Sequence, residues 1–294
     1  MLQPVGNLNK SCAHGLGGPL YSDARRRRAF SNQKSNFLWL AGTIENPFVA
    51  GKPWIQLHPF IRNTIVNYDE KWNLDPPPSF HGFRDDLPLT VYIRNLPHWR
   101  QHGATYFITF RLADSIPRDY LEYITRLRAD WFARNPPPQS KEAFEELSKL
   151  LSERMEYWLD QGMGSCVLQE ECISQIVHES LQHFHGVRYE LGASVIMANH
   201  VHSIIRPLET ASLELEYMLG SCKEFTAKRI NRIFGQSGAV WQEESYDRII
   251  RDAEHLWRCL QYIGKNPSKA GRTRESCHLW VNPDWMKLGW RFDG

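Results

Sequence analysis

The chain has 294 residues, 42% of them hydrophobic, and a formal net charge of +2. That is ample for a core, and too weak a charge to announce a nucleic-acid partner, so local clusters must carry any such argument. Six scattered cysteines with no C-x-x-C pair speak against a disulfide framework or a zinc knuckle. With no signal-peptide pattern and no run near the roughly 18 apolar residues of a membrane span, a cytoplasmic protein is expected.

Residues 1–90 read as an irregular extension rich in Gly, Asn, Pro and Arg, with "ARRRRAF" at 24–30 and "DPPPSF" at 75–80. The basic run fits a solvated tail or a polyanion contact, while Trp39, Trp54 and Trp72 suggest that part of the segment packs. "ATYFITFRLAD", 104–114, alternates Tyr106, Ile108 and Phe110 with Phe107, Thr109 and Arg111 and predicts a strand. A helix follows Pro117 and stops at Pro136. A second places Phe144, Leu147, Leu151 and Trp158 at helical spacing, so residues 118–165 form a helical insert. "QEECISQIVHESLQHFHG" predicts a helix with an Ile173, Ile176, Val177, Leu181 and Phe184 stripe, ended by Gly186. Next come a strand pair over 187–207, a long helix over 209–235 and an extended segment over 239–252. The last helix has Asp252 as N-cap and Pro267 near its end, and residues 276–294 read as a tail. This order predicts an α+β sheet with helices on one face.

His200 and His202 flank Val201 inside an apolar run, "VIMANHVHSIIRP". On a strand, residues i and i+2 share a face, so the two imidazoles project side by side, as a metal site needs. Two core histidines satisfied by hydrogen bonds fit the bare pattern as well. The sequence holds its own control: His183 and His185 repeat H-x-H across a helix end, where they splay apart, and read as structural.

In "QYIGKNP", Tyr262 and Asn266 lie four residues apart, on one helical face. An asparagine oxygen can complete a His/His/Asn site open to substrate, a mixed shell suited to Mg²⁺ or Mn²⁺. A tyrosine beside it is a candidate nucleophile towards phosphorus. Y-x-x-x-N alone is equally an ordinary helix pattern.

These segments, with "SCKEFTAKRIN", "VWQEESYDRIIRD" and "LPHWRQHGATYFITFRLADSIP", resemble in order and spacing the IS200-like transposase family, and within it the REP-associated tyrosine transposase branch, over roughly residues 95 to 275. The resemblance implies a ferredoxin-like antiparallel sheet in an HUH domain at 91–275. It implies His200 and His202 as the HUH pair, Tyr262 as nucleophile and Asn266 as third ligand of Mg²⁺ or Mn²⁺. The implied activity is cleavage and rejoining of single-stranded or hairpin DNA through a 5′-phosphotyrosine. "MANHVH" departs from the usual family pattern, which has proline before the asparagine; a changed strand entry is expected.

For DNA, the candidates are Lys223, Lys228, Arg229 and Arg232 on the long helix and Arg248 and Arg251 before the tyrosine helix, as one phosphate-binding surface beside the site. Tyr246 is a rival nucleophile lacking a paired Asn. Trp241 fits base stacking or core packing, and Gln242 is undecided. A homodimer is left open, and no membrane partner is expected. A hairpin-binding regulator without turnover and a metal phosphohydrolase without covalent intermediate are the alternative classes.

Overall fold

The computed structural model describes residues 74–94, 96–208 and 214–293. The basic run at 24–30 and Trp39, Trp54 and Trp72 lie outside the described residues.

The strand expected at 104–114 is β3, Tyr106–Arg111, and each of its six residues is buried. Its alternation carries aromatic or aliphatic side chains on both faces, so it occupies an interior position. Apart from the main sheet, β1 (Thr90–Ile93) and β2 (Pro97–Arg100) form a separate antiparallel hairpin. In the main sheet β4 is Tyr189–Ile196, β5 His200–Pro207, β6 Tyr246–Ile249 and β7 His278–Val281. The order is β6-β3-β5-β4-β7, antiparallel throughout.

The helices are α1 (Arg118–Arg134), α2 (Lys141–Asp160), α3 (Glu171–Gln182), α4 (Leu215–Phe234), α5 (Ala253–Lys269) and α6 (Pro283–Lys287). Along the chain β3, α3, β4, β5, α4 and β6 make a βαββαβ unit with its strands in the order fourth, first, third, second. This is the split-βαβ, ferredoxin-like arrangement. The α+β class and antiparallel sheet are as expected.

Register sorts the side chains. Ile108, Phe110, Val201 and Ile205 share a face with Ile173, Val177 and Leu181 of α3 and Leu215 and Met218 of α4 in one buried cluster. Burying each such side chain contributes about 1.5–3 kcal/mol. On the opposite face, Phe107, Thr109 and Arg111 align with Ile204, His202 and His200 of β5. Tyr246 and Arg248 of β6 join them there, opposite Thr109 and Phe107. The reading of helices on one face holds for α3 and α4; α5 and the insert cover the other. The insert has its own core, Leu96, Trp131, Leu147 and Leu151.

Two boundaries shift. Residues 276–294, expected as a tail, supply the edge strand β7, paired with β4, and α6. Gly192 marks a register shift in β4, where the Trp285 ring fills the space that a Cβ would need, so β4 and α6 close on each other. The described residues before 90, from 74 onward, are also held. Trp290 donates to Asp75 O at 2.8 Å, Trp285 to Ser79 Oγ at 2.8 Å, and Thr105 N to His81 O at 2.8 Å.

Candidate active site

β5 begins at His200, so the expected strand geometry holds, and His200 and His202 are each 1% exposed. Their Nε2 atoms face one another at 3.0 Å. The outer nitrogens are held separately. His200 Nδ1 lies 2.8 Å from Asn199 Oδ1, while Asn199 Nδ2 donates to Met163 O at 3.0 Å. That second bond fixes which end of the amide is oxygen, so His200 carries its proton on Nδ1 and turns the Nε2 lone pair inward. His202 Nδ1 lies 2.8 Å from Thr109 Oγ1, a hydroxyl that can donate or accept. When it accepts, both inward nitrogens present lone pairs.

Burial keeps both rings neutral. It holds His200 down to about 3, against the nearby Asn266 side chain. It holds His202 well below the usual range, helped by His200, Lys269 and Arg248. Neutral imidazole is the form that ligates a metal.

α5 brings the other pair. Asp252 caps it, accepting from His255 N at 2.7 Å. Tyr262 lies edge-on to His202, ring centroids 5.2 Å apart, and edge-on to Phe107 at 5.7 Å. Asn266, 0% exposed, lies close enough to His200 and Tyr262 to favour the imidazolium of one and the phenolate of the other. Yet neither Oδ1 nor Nδ2 makes a hydrogen bond of proper geometry. A buried amide with both ends unmet costs about 1–3 kcal/mol per group. Beside two inward-facing imidazole nitrogens, such an amide fits a divalent cation held by His200, His202 and Asn266.

Sequence reading missed the groups that α2 contributes. Glu156 comes close enough to Tyr262 for each group to shift the other, with its own pKa raised chiefly by burial. Burial, followed by the charges of Glu156 and Asp160, holds the Tyr262 phenol well above 10. Burial also lifts Asp160 to about 6, against the pull of Lys269. Lys269 Nζ lies 3.9 Å from the Tyr262 ring centroid. A phenol, two carboxylates and a lysine thus meet beside the histidines. The two carboxylates reach the site from α2, far from α5 in sequence, and no local pattern announces them.

Tyr246 shares the histidines' face, where it lies near Ser152 and packs against the insert core. Trp241 resolves as core: it is 6% exposed, donates to Thr226 Oγ1 at 2.8 Å and lies edge-on to Phe110. Gln242 lines a cavity beside the insert. His183 and His185 stay apart from the site, and His185 Nδ1 accepts from Leu191 N.

The six basic candidates do not form one surface. Lys223 is buried, its Nζ donating to Gln242 O at 3.0 Å and Glu243 O at 3.1 Å. Lys228, Arg229 and Arg232 lie on α4, whose sheet contact is the face opposite the histidines. Lys228 pairs with Glu224 at 2.5 Å, and Arg229 lies over Phe225. Arg248 and Arg251 stay on the site's side. Arg248 packs on Phe107 with its Nε unpartnered, and Arg251 pairs with Glu145 of α2 at 2.7 Å.

A second cluster, His98, Glu216 and Asp247, brings three potential ligand atoms within 4.8 Å and could hold a metal ion. Its groups already neutralise one another. His98 touches Asp247 and Glu244, each at 2.8 Å, and Arg100 bridges Asp247 and Glu216. Burial opposes the imidazolium charge, but the two carboxylates outweigh it and raise His98 to about 9.

No family model matches this chain, and no curated protein does. Among solved structures, a REP-associated tyrosine transposase bound to a REP hairpin is similar over 66% of this chain and 77% of its own, at 13% identity and a TM-score of 0.33. A likeness that distant says nothing about the site, whose reading rests on its own residues.

Proposed function

We propose that this chain is a divalent-metal-dependent endonuclease and strand transferase for single-stranded or hairpin DNA, acting through a covalent 5′-phosphotyrosine on Tyr262. The observation that carries this is the meeting of His200 and His202 from β5 with Tyr262 and Asn266 from α5, with both polar atoms of the Asn266 side chain unmet. A regulator that only bound DNA would need none of the four.

His200, His202 and Asn266 would hold Mg²⁺ or Mn²⁺, which would supply a Lewis acid for the phosphodiester. The chain's own groups do the remaining work. Tyr262 Oη attacks phosphorus and the bond to the 3′-oxygen breaks, leaving the 5′ side joined to the tyrosine. The phenol proton ends on the departing 3′-hydroxyl, with Glu156, the carboxyl group beside Tyr262, as its relay. Lys269 and Arg248 offset the charge that develops. Attack by a 3′-hydroxyl reverses the step and rejoins the strand.

The test is incubation with a library of labelled single-stranded hairpins and Mn²⁺, followed by a denaturing gel. Label migrating with protein is expected, lost with chelator and restored by Mn²⁺ or Mg²⁺. Cleavage without any protein-linked label points instead to hydrolysis by water. Binding without cleavage points to a regulator.

A further inference from the structure

A cavity of about 240 Å³ lies between the helical insert and the sheet, lined in part by Thr109 and Arg111 of β3, Glu156 of α2 and Tyr246 of β6. It borders the histidine site directly, since Thr109 is bonded to His202 and Arg111 is the cross-strand neighbour of His200.

Arg111 is the unexplained group. It is 6% exposed. Its guanidinium donates to Leu112 O at 3.3 Å and Ser115 Oγ at 3.2 Å, both neutral acceptors. No carboxylate pairs with it among the described residues, and burial alone lowers it to about 10. The two acids of the cavity lie towards other groups: Glu156 acts on the Tyr262 phenol, and Glu244 is bonded to His98 and Leu96 N. A second buried cation, Lys223, lies near enough for Arg111 to help hold it down, to about 8, after burial. A buried charge without a partner destabilises a fold, and its persistence points to a counter-charge brought by a ligand. The planar fork of arginine matches a phosphate.

The rest of the lining suits what a phosphate of a single strand would carry. Leu121, Ile124, Met155 and Leu159 form an apolar wall, and Tyr246 offers a ring. An apolar slot with one aromatic side and a few polar groups is how proteins hold an unstacked base.

We propose that this cavity is a nucleotide pocket, in which Arg111 binds a phosphate neighbouring the one that Tyr262 attacks and the slot under α1 and α2 takes the attached base. The inference rests on the DNA-cleaving reading above and adds to it how the insert contributes to substrate choice.

The experiment uses a hairpin oligonucleotide that the full chain cleaves. Each phosphate near the cut is replaced in turn by a neutral methylphosphonate, and each base by an abasic site. Binding is measured for the parent, Arg111→Met and Arg111→Lys, with thermal melts beside each. At one phosphate next to the cut, the parent is expected to lose about tenfold in affinity, the scale of a charge-assisted bond. In Arg111→Met that penalty vanishes while the others persist. Arg111→Lys retains the melt and loses most of the coupling, which separates phosphate recognition from folding. At the adjoining base, abasic substitution should weaken the parent but not Ile124→Trp, which fills the slot. Penalties that stay additive at every phosphate overturn the pocket while leaving cleavage intact. Failure of the parent to bind or cut any single strand overturns both readings.

Discussion

Thr109 decides what the histidine pair can do. Asn199 pins the tautomer of His200, whereas the Thr109 hydroxyl can turn and leaves His202 free to present or shield its Nε2. Outer partners of this kind typically change metal affinity 10–100-fold. Thr109→Val, similar in shape but without the acceptor, is therefore expected to keep the fold and bind Mn²⁺ about 10–100-fold more weakly in a titration of the free protein. His200→Ala and His202→Ala should abolish that binding, while His183→Ala and His185→Ala leave it unchanged. Equal affinity in Thr109→Val and the parent would show that His202 needs no orienting partner. The shared faces of His200 with His202 and of Tyr262 with Asn266 were legible in sequence because each pair lies on one element, while the choice of these four as a candidate site came from the motif resemblance. Thr109, Glu156 and Arg111 were not legible, because each reaches the site across the sheet or from the insert.

Among elements, the strand and helix order from 104 to 270 was readable from periodicity, and its ferredoxin-like arrangement is what the motif resemblance implied. The ends were not. β7 has four residues and no alternation strong enough to stand out, and it exists because β4 needs a partner on its outer edge. The segment at 74–87 has no period at all; backbone and side-chain hydrogen bonds hold it instead. A chain beginning at residue 90 loses the partners of Trp285, Trp290 and Thr105 N and is expected to melt well below one beginning at residue 74. Identical melts for the two would make the segment an ornament of the surface. The hairpin β1–β2 is tied to β6 by His98, and the sign of its pH dependence follows from that tie. The folded pKa of His98, about 9, lies above its ordinary value of 6.5, so the stabilisation is complete below 6.5 and lost as pH rises through 9. The urea midpoint should fall over that window in the parent, and that fall should be missing in His98→Gln. A parallel fall in both would assign it to other groups.

For the whole molecule, the basic candidates divide between two sides of the sheet, with Lys228, Arg229 and Arg232 on α4 and Arg248 and Arg251 in and just after β6, a partition that only the packing of these elements reveals. On the proposed reading, DNA reaching Tyr262 would meet Arg248 and Arg251. Each lost phosphate contact flattens the log–log salt slope by about 0.7 for a single strand. Arg248→Ala and Arg251→Ala are expected to do so, and Lys228→Ala and Arg232→Ala are not. The reverse pattern would move the DNA to the α4 side. Beneath all of this lies the claim that Tyr262 becomes joined to the strand. Tyr262→Phe keeps the ring against Phe107 and His202 and removes only the attacking oxygen. On a denaturing gel with a labelled hairpin and Mn²⁺, Tyr262→Phe should bind like the parent yet give neither protein-linked label nor cut strand, while Tyr246→Phe gives both. Protein-linked label that persists in Tyr262→Phe and disappears in Tyr246→Phe would contradict the account.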